Sequence, residues 1–110
     1  MSLEIVELGE GQGPAVEEGD RVTVRYVGKR IDGKIIDRGD LSFEVGFGEV
    51  IEGWEQGVTG MRAGGKRRLT IPPELAYGAR GAAPLVGPNA TLIFEMELLS
   101  ITRSEEHPPG

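Results

Sequence analysis

Ile51-Glu52-Gly53-Trp54-Glu55-Gln56-Gly57-Val58-Thr59-Gly60-Met61 is the segment of this chain whose apolar residues recur at helical spacing. Ile51, Trp54, Val58 and Met61 fall three and four residues apart, which is the stripe of a short amphipathic helix. Gly53 and Gly57 each cost such a helix about 1 kcal/mol relative to alanine, so it needs a surface to pack on. It reads as a plug on a sheet.

The flanking segments supply that sheet. In residues 21–27, Val22, Val24 and Tyr26 alternate with Arg21, Thr23 and Arg25, the period of two of a half-buried strand. Leu41, Phe43 and Val45 repeat the alternation, and Leu69 with Ile71 marks a third strand. Residues 91–101 form a long fourth strand with Leu92, Phe94, Met96 and Leu98 on one face, and residues 3–8 add an N-terminal one. The length of the C-terminal strand makes it a candidate exposed edge. Asp32-Gly33 is a hairpin turn signal between Ile31 and Lys34, the glycine supplying a positive φ. Eighteen glycines and seven prolines punctuate these segments. The fold class expected is α+β, an antiparallel sheet with one short helix. Residues 79–89 read as a Gly-, Ala- and Pro-rich loop. Residues 1–102 read as one domain and 103–110 as a disordered tail.

Composition removes several classes of function. The chain has 110 residues and no cysteine, which excludes disulfides, thiolate metal sites and cysteine nucleophiles. A net charge of −6 argues against general nucleic-acid binding. Arg62, Lys66, Arg67 and Arg68 form a local basic cluster, but Lys66 and Arg68 share one strand face while Arg67 points away, the pattern of a solvated strand. No apolar run approaches the roughly 20 residues that cross a bilayer, and residues 1–11 lack the basic start and apolar stretch of a signal peptide. The expectation is a soluble, cytoplasmic monomer.

The chemistry left is narrow. His107, the only histidine, lies in the expected tail, so a histidine-based hydrolase has no base. Metal catalysis would have only scattered carboxylates to draw on. Gly46-Phe47-Gly48 lacks the third glycine and the following βα unit of a phosphate loop. An enzyme here works without nucleophile, metal or cofactor. Rotation about an Xaa-Pro amide is such a reaction, since its barrier of about 18–20 kcal/mol comes from amide resonance that the twisted transition state lacks. An apolar, water-poor cup with one or two hydrogen-bond donors favours that state.

Several ordered blocks carry a resemblance: Gly19-Asp20-Arg21-Val22 with Val24-Arg25-Tyr26-Val27-Gly28, Asp32-Gly33-Lys34 with Asp37, Glu49-Val50-Ile51-Glu52-Gly53-Trp54, Leu69-Thr70-Ile71-Pro72-Pro73, Ala76-Tyr77-Gly78, and Pro88-Asn89-Ala90-Thr91-Leu92-Ile93-Phe94. They resemble the FKBP-type peptidyl-prolyl cis/trans isomerases, the immunophilins that bind rapamycin and tacrolimus. The resemblance implies five or six strands wrapped as a half-barrel around the helix, with the pocket between helix and concave face. It implies Trp54 as floor and Tyr26, Phe43, Val50, Ile51 and Phe94 as walls, although each of these taken singly is an ordinary core residue.

The same resemblance implies three polar roles. The backbone N–H of Ile51 and the hydroxyl of Tyr77 are similar to the family's donors to substrate, and Asp37 to its pocket-edge carboxylate, which orients rather than abstracts a proton. Tyr77 as a loop anchor, and Asp37 as a turn residue or ion-pair partner of Arg38, are the alternatives. Ile36 and Leu41 stand where the family usually carries aromatic residues, which implies a less aromatic cup with weaker activity and drug affinity. Leu85 and Val86 supply the apolar lip. Proline-containing polypeptides and macrolides are the implied partners. The alternative function is a scaffold or chaperone module of the same fold with incidental catalysis.

Overall fold

Val22 and Val24 are fully buried while Arg21 and Arg25 face water, so the alternation read from the sequence builds a strand with one face in the core. The computed structural model describes residues 2–103. In chain order these hold β1 (Glu4–Gly9), β2 (Arg21–Arg30), β3 (Ile35–Glu44), α1 (Glu52–Val58), β4 (Lys66–Ile71), a 3-10 turn (Pro73–Leu75) and β5 (Leu92–Thr102). The five strands make one sheet in the order β1-β4-β5-β2-β3, and every pairing is antiparallel.

β5 is the middle strand, bonded to β4 on one side and β2 on the other. The sequence left it as a candidate edge, and this is corrected. Its length serves two ladders, and Leu92, Phe94, Met96 and Leu98 all point into the core at 4% exposure or less. The edges are β1 and β3.

β3 begins at Ile35, six residues before the alternation at Leu41 becomes visible. An edge strand needs only one hydrogen-bonded neighbour, so the polar run Asp37-Arg38-Gly39-Asp40 joins the ladder without burying charge. The turn into it follows the sequence signal. Gly33 has φ +91, its N–H bonds to the Arg30 carbonyl at 2.9 Å, and the Arg30 N–H bonds to the Lys34 carbonyl at 2.9 Å. Beyond the turn the register steps from Lys29↔Ile35 to Gly28↔Asp37, leaving Ile36 as an extra residue in a bulge. Bulges re-aim side chains. Here Ile36 turns partly inward and Asp37 stands beside it.

α1 is shorter than the stripe that announces it. Ile51 is its N-cap residue, Thr59 already has extended angles, and Gly60 at φ +89 turns the chain away. Met61 is buried at 3% but lies past the helix end. The two costly glycines have a packing reason. A Cβ on Gly53 would sit 2.5 Å from Ile71 Cγ2, and one on Gly57 would sit 2.4 Å from Leu69 Cδ1, so only glycine lets the helix lie this close to β4.

Arg62, Arg67 and Arg68 of the basic cluster are engaged in the fold. Arg67 donates to Glu7 at 2.6 Å and to the carbonyls of Gly57 and Thr59 at 3.0 and 2.8 Å, tying β1 and the end of α1 to β4. Arg68 pairs with Glu95 at 3.0 Å, and Arg62 bonds to the Gly13 carbonyl. Arg103, assigned to the tail by the sequence, is instead held to the domain. It donates to the buried Asp20 at 3.1 Å and to the Ala15 carbonyl at 2.6 Å. The rest of that tail, with His107, lies outside the described residues.

Candidate active site

α1 crosses the concave face of the sheet and presents Trp54 to a cavity of about 610 Å³, within the range of small-ligand pockets. Trp54 is only 5% exposed and is held by three rings. Tyr26 of β2 stands edge-on at 4.7 Å and 68°, Phe94 of β5 edge-on at 5.3 Å and 83°, and Phe43 of β3 tilted at 5.9 Å. Edge-to-face packing suits the ring quadrupoles and fixes the indole. The Trp54 Nε1 is buried with no hydrogen-bond partner among the described residues.

The structure brings Tyr26, Ile36, Leu41, Val50, Ile51, Trp54, Leu85, Val86 and Phe94 around this one cavity, with Asp37 and Tyr77 at its margin. Phe43 does not reach it. It is 1% exposed, pairs with Val22 in the β2–β3 ladder six residues from Asp37, and backs Trp54 from the core side. Its assignment to the wall is therefore corrected to a support behind the floor. Four lining residues escaped the sequence reading: Glu49, Ala82, Ala83 and Pro84. The last three belong to the loop already recognised as the lip, but small side chains carry no signal of burial against a ligand. Glu49 precedes Val50 and had no apolar pattern to join.

The polar groups divide into satisfied and free. The Tyr26 hydroxyl donates to Asp37 Oδ2 at 2.9 Å, and the Arg38 backbone N–H donates to Oδ1 at 2.8 Å. Asp37 thus accepts from both sides, and the Arg38 contact is through the backbone. Burial first, then the hydrogen bond to Asp37, pushes the Tyr26 phenol up to about 12, so it stays a donor. The Ile51 N–H is free among the described residues, as expected of a helix start, where the first N–H groups have no intrahelical acceptor. Tyr77 is 41% exposed and its hydroxyl has no partner among the described residues.

Tyr77 also begins the lip. Its carbonyl accepts the Gly81 N–H at 3.0 Å, and Gly81 at φ +72 has no room for a Cβ, which would lie 2.7 Å from the backbone of Gly87. Ala82 and Val86 then bond to each other reciprocally at 2.8 and 3.0 Å, and the Ala83–Pro84 peptide between them is cis. No group of three or more His, Cys, Asp or Glu side chains among the described residues is placed to hold a metal ion. The site offers an aromatic cup, free donors at its mouth and a carboxylate fixed at its edge.

The sequence profile of the FKBP-type peptidyl-prolyl cis-trans isomerases matches residues 13–99. The chain belongs to that family. The FK506-binding protein of Neisseria meningitidis serogroup A is 47% identical over 105 residues, covering 91% of this chain and 96% of the relative. An FK506-binding protein 4 of Dictyostelium discoideum is 50% identical over 101 residues, covering 89% of this chain but 28% of that protein. The chain thus spans little more than a quarter of the length of that curated relative. Among solved structures, FkpA from Escherichia coli superposes with a TM-score of 0.83 at 41% identity, covering 93% of this chain and 49% of FkpA. AtFKBP13 gives a TM-score of 0.83 at 39% identity, covering 89% of this chain and 91% of that one. The matched segment starts after β1. No helix among the described residues is long and apolar enough to cross a membrane.

Proposed function

We propose that this FKBP domain catalyses cis/trans rotation about Xaa-Pro amide bonds of polypeptides and so assists their folding. The observation that carries the reading is a cup floored by Trp54, walled by Tyr26 and Phe94, with the unpartnered Ile51 N–H at its mouth. A proline ring fills such a cup. Its preceding carbonyl accepts the Ile51 N–H, and the Tyr77 hydroxyl is the second donor.

The chemistry needs no covalent intermediate. As the amide twists, its resonance and much of its dipole disappear, so an apolar surrounding opposes the transition state less than the planar ground state. Asp37 does not act as a base. Both its oxygens already accept hydrogen bonds, so it fixes the Tyr26 ring and sets a negative field at the cup edge. Macrolides such as rapamycin and tacrolimus belong to the same proposal as occupants of the cup, as do a monomeric state and the cytoplasmic location expected from the sequence.

The test is NMR exchange of a short Leu-Pro peptide with the intact chain, with Tyr77→Phe and Asp37→Ala, and with added rapamycin. Acceleration by the intact chain, slowing in both variants and block by the drug uphold the reading. Drug binding without acceleration would leave a binding module of the same fold.

A further inference from the structure

Arg30 ends β2 and reaches across to the lip. Its Nη1 donates to the Leu85 carbonyl at 3.4 Å, bridging 55 positions of sequence. The rest of the guanidinium is engaged by Asp32, with Nε 3.2 Å from Oδ1 and Nη2 in close contact with Oδ2. Asp32 is fixed in turn by the hairpin, because its Oδ1 accepts the Lys34 N–H at 3.1 Å. The guanidinium is therefore oriented by the β2–β3 turn before it meets the lip.

The lip needs such a hold. The reciprocal bonds between Ala82 and Val86 close its base, leaving Ala83, Pro84 and Leu85 to project over the cavity. Pro84 has no N–H to offer, so the Leu85 carbonyl is where the projecting tip is joined to the sheet. A planar guanidinium serves a carboxylate and a carbonyl at once, which a lysine ammonium on a flexible stem does with far less geometric control.

We propose that Arg30, oriented by Asp32, is a positioning residue that holds the lip over the proline pocket and sets how firmly a substrate segment is gripped. The proposal rests on the isomerase reading of that pocket. β2 then serves the site twice: Tyr26 gives it a wall, and Arg30 tethers the lip. Because the Arg30 side chain is 36% exposed and its bond to Leu85 is long, losing it frees the loop without unfolding the domain.

The experiment compares the chain with Arg30→Ala, Arg30→Lys and Asp32→Asn. Peptide exchange is measured against peptide concentration, and backbone ¹⁵N relaxation is read at Leu85 and Val86. In Arg30→Ala the KM is expected to rise about threefold to tenfold while kcat changes less than about twofold, with a loss of order at both amides. Asp32→Asn gives a smaller change in the same direction, and Arg30→Lys restores only part of the order. Unchanged lip relaxation and unchanged KM in both Arg30→Ala and Asp32→Asn would overturn the proposal, as would a fall in kcat at constant KM. If Arg30→Ala unfolds, Asp32→Asn decides alone, since it keeps the arginine. If the intact chain fails to accelerate exchange, the isomerase reading falls, and the relaxation data still uphold or overturn the tether.

Discussion

The hydroxyl of Tyr26 meets Oδ2 of Asp37 at 2.9 Å although neither residue faces the other in the β2–β3 ladder. Tyr26 is paired with Gly39 and Asp37 with Gly28, so both direct partners lack side chains and the two residues meet on the diagonal. The ring of Phe94 takes the place that a Cβ on Gly28 would need, coming within 2.4 Å of it, so glycine there admits the aromatic cluster beside the Tyr26–Asp37 pair.

Removing that hydroxyl separates its polar role from its ring. Tyr26→Phe keeps the contacts to Trp54 and Phe94 but leaves Asp37 with the Arg38 N–H alone. Hydrogen bonds to charged groups contribute about 1.5–3 kcal/mol, less where water competes. The expected result is a fall of roughly tenfold in kcat/KM in the peptide exchange assay and a loss of about 1 kcal/mol in urea unfolding. Unchanged activity would remove Asp37 orientation from the mechanism.

The same phenol gives an alkaline signature. Its value is raised from 10.0 to about 12 in the fold, so the native state favours the protonated form. That contribution is complete below pH 10, and declines as pH rises from 10 through about 12. Urea midpoints measured across this window should fall in the intact chain and fall less in Tyr26→Phe.

Gly53→Ala sets propensity against packing. Alanine gains the helix about 1 kcal/mol. The new Cβ would lie 2.5 Å from Cγ2 of Ile71, a fully buried, β-branched side chain with little freedom to move. Overpacking of this kind costs about 1–3 kcal/mol, so the variant should be less stable in thermal unfolding despite its better helix former. A rise in Tm would show that α1 is not pressed on β4.

The cup has room for another ring. Ile36 and Leu41 line it together with the aromatic cluster. Rapamycin is expected to change the fluorescence of Trp54, the only tryptophan, and to bind more weakly than it does to members with aromatic residues at these positions. Ile36→Phe should tighten binding by about threefold to tenfold, the worth of one added aromatic contact. No gain would mean that the bulge aims residue 36 away from the ligand.

Much of this was legible from periodicity. Val22 and Val24, Leu69 and Ile71, and Leu92 through Leu98 are buried on one face and polar on the other, and a sheet covered on one side writes that pattern into its strands. Ile35 to Asp40 escaped because this stretch of edge strand is mostly exposed and its one inward residue, Ile36, sits in a bulge, which leaves no alternation to read. Phe43 was misplaced because a residue that supports a floor and one that lines a cup have the same chemistry, and only the register separates them. Arg103 was lost in a polar terminus because its partner, the buried Asp20, lies 83 residues away. The Arg30 to Leu85 contact was invisible for the same reason, since no local spacing reports a bond between a turn and a loop on the far side of a cavity.

β5 is the last of the described strands to be made and the one on which both halves of the sheet close. During synthesis from the N-terminus, β2 and β3 can pair as soon as they emerge, but an isolated hairpin is marginal in water. β1 waits for β4, and the two pairs have no ladder between them until Leu92–Thr102 arrives. The domain therefore carries open strand edges until β5 is made, and closing its sheet joins segments far apart in sequence, the slow kind of closure.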